Sequence, residues 1–394
     1  MDRLLENCRA LSALLAETRQ KDSPHILIER NPRIRDLAES VERDLHTCAQ
    51  VHEPEQPAVL NGQREFRAVC WNIERGKNFS AVLKVLQEHP QLKEADFYLL
   101  TEVDSGMARS ENRDIPRELG EGLNYFAYFA PSYFNFTNGH GVERNADGKN
   151  LWGLHGKALL SRYPLQDWNC VPMPNATDKL RSKEARLGQK RALVGKLPLG
   201  DKALTLVCTH LDAFSSPKSR SEQLAAAVRE CSQAKHVLLG GDWNTNTLDS
   251  TSTWKLIPSV MKQLALVGPS KMIREHHPHP DRRFDRPLFD MLGELGLDYR
   301  ACNQLGEPTF DLVSNDHELG QMAGDQYPRW ALKWINRLII KSGGRIGLKL
   351  DWFATKNLKV LNNQVIDSKQ IQMPALKGRA SDHHPIVTHF KLEA

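Results

Sequence analysis

The sequence predicts an α/β protein, either one large domain or two smaller ones, and two observations lead to this prediction. From Phe66 onward, short apolar segments of strand length alternate with segments of helical periodicity, as in sheets whose faces are covered by helices. The chain has 394 residues, of which 40% are hydrophobic and 26% are charged, the proportions of a globular protein. A chain of this length and composition is expected to bury a large core.

The charge and the cysteines indicate where the protein works. The net charge of +5 permits a phosphate-bearing substrate without requiring one, and the chain has no basic tail of the kind that coats nucleic acid. Its seven cysteines contain no CxxC pair, a pattern that fits a reducing compartment and predicts a cytoplasmic protein. The first 20 residues lack the apolar core of a signal peptide, and no segment is apolar enough to span a bilayer.

The N-terminal part is predicted to be helical and distinct from the rest of the chain. Residues 1–50 show helical spacing of leucines, interrupted at Pro24 and at Asn31-Pro32, so we expect two helices in an N-terminal extension. Residues 51–65 have the composition of a linker, and residues 66–394 form the main domain. The helices could dock on this domain, dimerise or hold a partner, and the sequence leaves these alternatives and the oligomeric state open.

Polar side chains stand at the ends of the first two predicted strands. The strand from Phe66 to Ile73 ends in Asn72, and the strand from Ala95 to Leu100 runs to Glu102. Strand ends are where α/β sheets build their sites, so these two side chains are expected to share a cleft. Amide and carboxylate oxygens suit Mg²⁺, with Mn²⁺ as a possible substitute. The alternative for Asn72 is an ordinary capping or turn role.

The same arrangement recurs along the domain. Further polar residues at strand ends are His210, Asp242, Asn244, Asp351, Asp382 and His383. Asp242 and Asn244 follow the Gly240-Gly241 pair, which lets the backbone approach a ligand closely. Taken alone, Asp382-His383 before Pro385 is more often a turn, but the whole set contains what phosphodiester hydrolysis requires. A hard metal ion would neutralise phosphoryl charge, and an imidazole held by a carboxylate would orient or deprotonate water.

Three further segments allow two interpretations each. Between Lys179 and Arg191 there are six basic residues and one Glu, which could bind phosphate or form a solvated loop. The segment Trp330–Lys341 is a basic amphipathic helix that could lie on a membrane lipid surface, gate the cleft, or pack on its own domain. His276, His277 and His279 do not have the spacing of a metal site, so we expect exposed loop histidines.

Six sequence motifs together resemble the endonuclease/exonuclease/phosphatase superfamily, which includes pancreatic-type deoxyribonucleases. They are Trp71-Asn72-Ile73-Glu74, Thr101-Glu102-Val103-Asp104, Thr209-His210-Leu211, Gly241-Asp242-Trp243-Asn244, Leu350-Asp351-Trp352-Phe353 and Ser381-Asp382-His383-His384-Pro385. The resemblance covers about Phe66 to Leu392. It implies a four-layer α/β sandwich of two packed mixed β-sheets flanked by helices, with the site at one edge.

The resemblance also implies a role for each residue. Glu102 resembles the principal Mg²⁺ ligand, with Asn72 beside it, and Asp382 resembles a metal-side or second-site carboxylate. Asp242 resembles the carboxylate that activates the nucleophile, and Asn244 the amide that steadies the phosphoryl group. His383 resembles the imidazole on the scissile phosphate, oriented by Asp351. His210 matches the histidine that assists the leaving group, and Arg191 resembles an arginine that contacts the substrate phosphate.

The expected function is therefore that of a Mg²⁺-dependent phosphoester hydrolase, and a phosphodiesterase with nuclease-like activity is favoured. A lipid or inositol phosphoester hydrolase of the sphingomyelinase or phosphatase type is the alternative, and a non-catalytic binding protein on this scaffold is a second one. Nucleic acid is the favoured partner. Residues 269–345 match nothing in the superfamily, so we expect an insertion there that determines specificity.

Overall fold

The computed structural model describes residues 1–18, 23–60, 62, 65–314, 329–368, 371 and 379–393. The α-helices are α1 Asp2–Glu17, α2 Pro24–Arg30, α3 Pro32–Asp44, α4 Phe79–Glu88, α5 Ile115–Leu123, α6 Pro217–Glu230, α7 Thr253–Val267, α8 Pro269–Lys271, α9 Arg286–Glu294 and α10 Arg329–Lys341. Short 3₁₀ helices lie at Ala108–Ser110, Gly141–Asn145 and Pro280–Arg282, and a π-helix at Met272–His276. None of the described helices is long and apolar enough to cross a membrane.

The strands form two large mixed sheets and one small sheet. The strands are β1 Ala49–His52, β2 Glu65–Arg75, β3 Phe97–Ser105, β4 Phe126–Asn135, β5 Leu154–Ser161, β6 Gln166–Pro172, β7 Arg186–Gly188, β8 Arg191–Leu199, β9 Lys202–His210, β10 His236–Asp242, β11 Phe310–Val313, β12 Arg345–Leu348, β13 Asp351–Lys356, β14 Leu358–Val365 and β15 Ile386–Leu392. The eight-stranded sheet has the order β1-β4-β5-β3-β2-β15-β14, with β7 paired to β4. The five-stranded sheet has the order β13-β10-β9-β8-β6, and β11 pairs with β12.

Three apolar cores separate four layers, as strand alternation requires. Along β2, Val69 and Trp71 face the helices α1 to α5, whereas Ala68 and Cys70 face the second sheet. The outer face of the five-stranded sheet packs on α6 and α9. Because successive side chains of a strand point to opposite faces, one strand serves two cores. The predicted four-layer sandwich is confirmed.

The N-terminal segment is part of the same body. Pro32 begins α3, and the Asn31 Oδ1 atom accepts hydrogen bonds from the backbone N–H groups of Arg33 and Ile34. The apolar faces of α1 and α3 join the core on the large sheet, and β1 pairs with β4. Residues 1–50 contain three described helices rather than the two expected. The predicted linker begins two residues too early, because Val51 and His52 belong to β1.

The predicted insertion at 269–345 is also partly core. Its helix α9 buries Leu288, Phe289 and Leu292 against the five-stranded sheet, and Phe289 contacts Trp352 with ring centroids 4.7 Å apart. His276 and His277 are buried, so the prediction of exposed loop histidines is wrong for these two. The ring of His276 lies against that of Phe284, with centroids 5.6 Å apart, and Ile273 packs with Ile346 of β12. These contacts cover a segment whose polar sequence indicated a surface loop.

Candidate active site

Strand register brings three of the predicted site residues into one row. In the five-stranded sheet, Asp242 of β10 lies opposite His210 of the parallel strand β9 and opposite Asp351 of the antiparallel strand β13. In the large sheet, Asn72 of β2 lies opposite Thr101 of β3, directly before Glu102. Both groups stand at strand ends, as the sequence predicts.

Two glycines allow β10 to fit between its neighbours. A Cβ atom on Gly241 would lie 1.8 Å from the carbonyl oxygen of Thr209, and one on Gly240 would lie 2.8 Å from the ring of Phe353. The two glycines therefore let β10 approach β9 and β13 closely, whereas the sequence suggested that they let the backbone approach a ligand. The glycines serve the site indirectly, because they set the position of Asp242 between His210 and Asp351.

Two hydrogen bonds join the two sheets at this edge. The Asn72 Nδ2 atom donates to the Asp242 Oδ2 atom over 3.0 Å, and the His383 Nδ1 atom lies 2.7 Å from the Asp351 Oδ2 atom. In each pair one residue belongs to the large sheet or its loops and the other to the five-stranded sheet. The site is therefore built across the sandwich, and neither sheet contains it alone.

The loop before β15 holds His383 in place through several contacts. The Trp71 indole N–H donates to the His383 carbonyl oxygen over 3.0 Å, and the His383 backbone N–H donates to the Ser381 Oγ atom over 3.2 Å. Ser381 in turn donates to the Asn72 carbonyl oxygen over 2.6 Å. The ring of Phe310 lies against the imidazole, with centroids 5.0 Å apart. A ring fixed in this way is oriented before substrate binds.

The electrostatic environment separates the two histidines. Burial lowers the pKa of His383, but the carboxylates of Asp351 and Asp242 outweigh it, so this pKa stands well above its ordinary value. Burial lowers the pKa of His210 well below the ordinary value, and the nearby cation Lys190 adds to this effect. The surroundings therefore favour the protonated form of His383 and the neutral form of His210.

Asp242 interacts with both imidazoles. Its Oδ2 atom lies 3.6 Å from His210 Nε2 and 3.9 Å from His383 Nε2, and its Oδ1 atom accepts from the Asn244 backbone N–H over 2.9 Å. Burial and the charge of Asp351 raise the pKa of Asp242. A carboxylate with a raised pKa between two imidazoles is suited to accept a proton from water.

A second set of carboxylates suits a divalent cation. The pKa of Asp382 is raised by burial and by the nearby charges of Glu74 and Glu102, so three carboxyl groups share this region. Burial alone would raise the pKa of Glu102, but the guanidinium of Arg75, 3.3 Å from its carboxylate, outweighs this effect and holds the pKa well below its ordinary value. Crowded carboxylate oxygens are the donors that a hard cation prefers. The set Glu102, Asn72 and Asp382 therefore has suitable donor chemistry for a metal ion.

A different cluster meets the simple distance requirement for a metal site. One ligand atom each from Asp242, Asp351 and His383 lies within 4.8 Å of the other two. In this cluster the His383 Nδ1 atom and the Asp242 Oδ2 atom already have hydrogen-bond partners, whereas the Asp351 Oδ1 atom has none among the described residues. We regard this cluster as acid–base machinery, because its short contacts pair an imidazole with a carboxylate.

Two of the predicted residues have other contacts in the structure. Arg191 is buried, and its guanidinium lies 3.0 Å from the His46 Nδ1 atom, so its contacts do not place it with the row formed by His210, Asp242 and Asp351. The Asn244 side-chain nitrogen donates to the Leu211 carbonyl oxygen over 3.0 Å. Asn244 therefore supports Asp242 and the following loop through its backbone, and its carboxamide is partly engaged.

Two buried lysines that the sequence analysis missed lie near the site. Lys157 of β5 and Lys190 before β8 both lower the pKa of His210. Burial lowers their own pKa values, to about 8 for Lys157 and about 7 for Lys190. Lys157 was detectable, because a lysine inside the apolar strand Leu154–Ser161 is unusual. Lys190 was recognised only as one member of a basic loop.

The rest of that basic loop is largely neutralised by ion pairs. Lys179 lies 2.8 Å from Asp212, and Arg186 pairs with Glu184, which also pairs with Arg109. The local excess of positive charge is therefore smaller than the sequence indicates. Lys190 is the loop residue whose charge acts on His210.

Comparison with known proteins identifies the family. The model of the endonuclease/exonuclease/phosphatase family matches residues 69–383, most of the chain. The chain belongs to this family. Its members are phosphoester hydrolases that use divalent metals, and this general chemistry applies here. No curated protein matches the chain significantly.

Several solved structures are similar to this chain. An endonuclease/exonuclease/phosphatase from Beutenbergia cavernae is 17% identical, with a TM-score of 0.50 and coverage of 84% of this chain and 72% of that one. Truncated TDP2 from Caenorhabditis elegans is 17% identical, with a TM-score of 0.46 and coverage of 84% and 99%. The human Nocturnin catalytic domain with bound sulfate is 15% identical, with a TM-score of 0.44 and coverage of 86% and 99%.

Proposed function

We propose that this family member is a Mg²⁺-dependent phosphodiesterase, with His383, Asp242 and Asp351 as its acid–base centre. The observation that carries the proposal is the contact of 2.7 Å between His383 Nδ1 and Asp351 Oδ2. Because Asp351 holds one ring nitrogen, the proton on Nε2 is free to face a phosphoryl oxygen. A non-catalytic scaffold would not require this buried, charged pair.

Each side chain has a part in the proposed reaction. Asp242 accepts a proton from the attacking water, and Asn72 fixes the Asp242 carboxylate by its hydrogen bond of 3.0 Å. His383 donates from Nε2 to a phosphoryl oxygen, where negative charge increases in the transition state. Neutral His210, whose Nε2 atom lies 3.6 Å from Asp242 Oδ2, hydrogen-bonds the leaving oxygen, and this oxygen takes up the proton that Asp242 removed from water.

Glu102, Asn72 and Asp382 would hold the metal ion. When bound, Mg²⁺ would neutralise charge on the phosphate and on the leaving oxygen. Glu102 is kept ionised in the site, which supports its role as the principal ligand. Lys190 and Lys157 would add positive charge on the His210 side.

A nucleic acid remains the proposed substrate, since the mild positive charge and the buried lysines suit a phosphate backbone. The ion pairs in the 179–191 loop weaken one reason for this choice. A phospholipid is the second candidate, and the observation that favours it is that the exposed faces of α7 and α10 combine apolar side chains with cations. A reducing compartment such as the cytoplasm is also proposed, because all seven cysteines are free thiols.

A panel of substrates tests the proposal. Hydrolysis of bis(p-nitrophenyl) phosphate, of single- and double-stranded DNA and RNA, and of phospholipid vesicles would be measured with Mg²⁺, with Mn²⁺ and with EDTA. We expect metal-dependent diester cleavage that His383→Ala lowers by about 10²-fold or more. The exposed variant Asp167→Asn, on β6, is the control. Activity of His383→Ala equal to that of the wild type would refute the mechanism for every substrate.

A further inference from the structure

Helix α7 has one face on the protein and one face in solvent. Leu256 and Gln263 are buried, and the Gln263 Nε2 atom donates to the Thr247 carbonyl oxygen over 2.7 Å. On the opposite side Trp254 is 88% exposed, Met261 59% and Leu266 57%. Because Trp254 and Met261 are seven residues apart, they lie on the same stripe of the helix. Large apolar side chains exposed together usually mark a contact surface.

Helix α10 has a similar pair of faces. Ile339 is fully buried and packs with Ile346, whereas the neighbouring Ile340 is 60% exposed. Lys333, Arg337 and Lys341 are exposed and follow one another at intervals of four residues, so they form a line of positive charge along the helix. The described face thus combines an exposed isoleucine with three cations.

The segment that follows α7 connects it to α10. Ile273, in the π-helix six residues after the end of α7, packs against the cluster of Ile339 and Ile346. The C-terminal end of α7 therefore lies close to α10. We name the exposed residues of the two helices the α7/α10 surface; they are Trp254, Lys255, Met261, Lys262, Leu266, Lys333, Arg337, Ile340 and Lys341.

The charge of these segments is of one sign only. Residues 253–274 and 329–345 together contain nine lysines and arginines and no carboxylate, whereas the whole chain has a net charge of +5. The remainder of the chain therefore carries a net charge of −4. Within the described part of the chain, Lys255, Lys262, Arg337 and Lys341 form no ion pair. Their charges are available to an external anion.

We propose that the α7/α10 surface docks on an anionic phospholipid bilayer. The cations would lie at the headgroup phosphates, and Trp254, Met261, Leu266 and Ile340 would enter the boundary between headgroups and acyl chains. A nucleic acid would use the cations but would leave these large apolar side chains in water. A second copy of the chain would bring two surfaces of positive charge together. The bilayer is the partner that satisfies both properties of the surface.

The surface is connected to the catalytic centre at both helices. Gln263 of α7 donates to the carbonyl oxygen of Thr247, which lies in the loop that follows Asp242 and Asn244. The backbone N–H of Thr247 in turn donates to Asp285 over 2.9 Å. Beside α10, strand β12 pairs with β11, whose Phe310 contacts His383. Docking through the α7/α10 surface would thus bring the site-bearing edge of the sandwich close to the lipid.

Flotation with vesicles tests the docking independently of the proposed reaction. The full chain carrying His383→Ala would be mixed with vesicles of phosphatidylcholine alone and of phosphatidylcholine with phosphatidylserine, at low and physiological salt. This variant cannot consume the vesicles by the proposed mechanism, so failure of one proposal leaves the other testable. We expect flotation that requires phosphatidylserine and weakens with salt.

A matched pair of surface variants distinguishes this surface from the rest of the protein. Trp254→Ser with Lys262→Glu should reduce partitioning by about tenfold or more, since each basic residue and each inserted apolar side chain contributes. Leu361→Ser with Lys359→Glu makes the same kinds of change on exposed residues of the edge strand β14 and should leave partitioning unchanged. Circular dichroism would show that both variants are folded.

Three outcomes would overturn the docking proposal. The first is no flotation with phosphatidylserine vesicles at physiological salt, and the second is equal flotation of the two paired variants. The third is a gel shift with DNA or RNA, or dimerisation in sedimentation, that depends on Trp254 and Lys262 while vesicles remain unbound.

Discussion

The His383 Nδ1 atom lies 2.7 Å from the Asp351 Oδ2 atom, although Asp351 belongs to the five-stranded sheet and His383 to the loop that enters the large sheet. Asp351 begins β13 at the edge of the five-stranded sheet, and His383 precedes β15 within the large one. Any change that shifts one sheet against the other would lengthen this contact. The packing between the sheets and the acid–base geometry are therefore coupled.

Replacing Asp351 should disturb the orientation and the charge of His383 while leaving its imidazole in place. Asp351→Asn keeps the size of the side chain but removes the charge that raises the pKa of His383, so we expect kcat to fall by about a hundredfold or more. Steady-state hydrolysis of a nitrophenyl diester measures this loss. Asp167→Asn provides a matched change at an exposed site, and equal rates for the two variants would contradict the role of Asp351.

Glu102 is predicted to be the principal metal ligand. In differential scanning fluorimetry, Mg²⁺ at about 100 times its dissociation constant should stabilise the wild type by about 2.7 kcal/mol, and Tm should rise by about 3 °C. Glu102→Gln should abolish most of this rise, because the amide loses the charge that attracts the cation. Glu121→Gln, exposed on α5, should retain it. The same rise in Glu102→Gln would place the metal elsewhere.

The sequence predicted which polar residues end strands. It did not predict which of them lie side by side, because that depends on strand order and register. Asn72, Asp242 and His210 each end an apolar segment, which the sequence shows directly. That Asp242 lies between His210 and Asp351 depends on the order of β9, β10 and β13, which long-range pairing determines. Arg191 begins β8 and contacts His46, whereas Lys190 lies just before the strand and acts on His210. The sequence shows two neighbouring basic residues but not which of them lies toward the site.

The N-terminal segment illustrates a second limit. The leucine spacing of α1 predicts a helix with one apolar face, but not the surface that this face covers. In the structure Leu4 and Leu11 pack in the same core as Trp71 and Leu100, which lie in β2 and β3. Four residues of β1 are too few to show alternation, so the strand that attaches this segment to β4 appeared to be a linker.

Lys190 is predicted to contribute to substrate binding. Its charge acts on His210 from a buried position, so Lys190→Met should lower kcat/KM by about tenfold or more, mainly through KM. Michaelis–Menten kinetics with the best substrate of the panel would measure the change. Lys196→Met removes a half-exposed lysine further along β8 and should leave both constants unchanged. A fall in kcat with KM unchanged would contradict a role in substrate binding and would place the effect of Lys190 in the transition state.

His277 should make the stability of the protein depend on pH. Both its ring nitrogens are buried without a hydrogen-bond partner among the described residues, and burial lowers its pKa from 6.5 to about 4. The folded state therefore binds fewer protons than the unfolded state between these values, so stability is complete above about pH 6.5 and is lost as the pH falls toward 4. Over this range the loss amounts to about 3 kcal/mol at 1.36 kcal/mol per pH unit.

Urea denaturation at pH 7.5 and pH 4.5 should show a smaller loss for His277→Phe than for the wild type. Ile273→Val, which changes packing in the same segment but keeps the imidazole, should retain the loss of the wild type. An identical loss in His277→Phe would show that other groups cause the acid sensitivity.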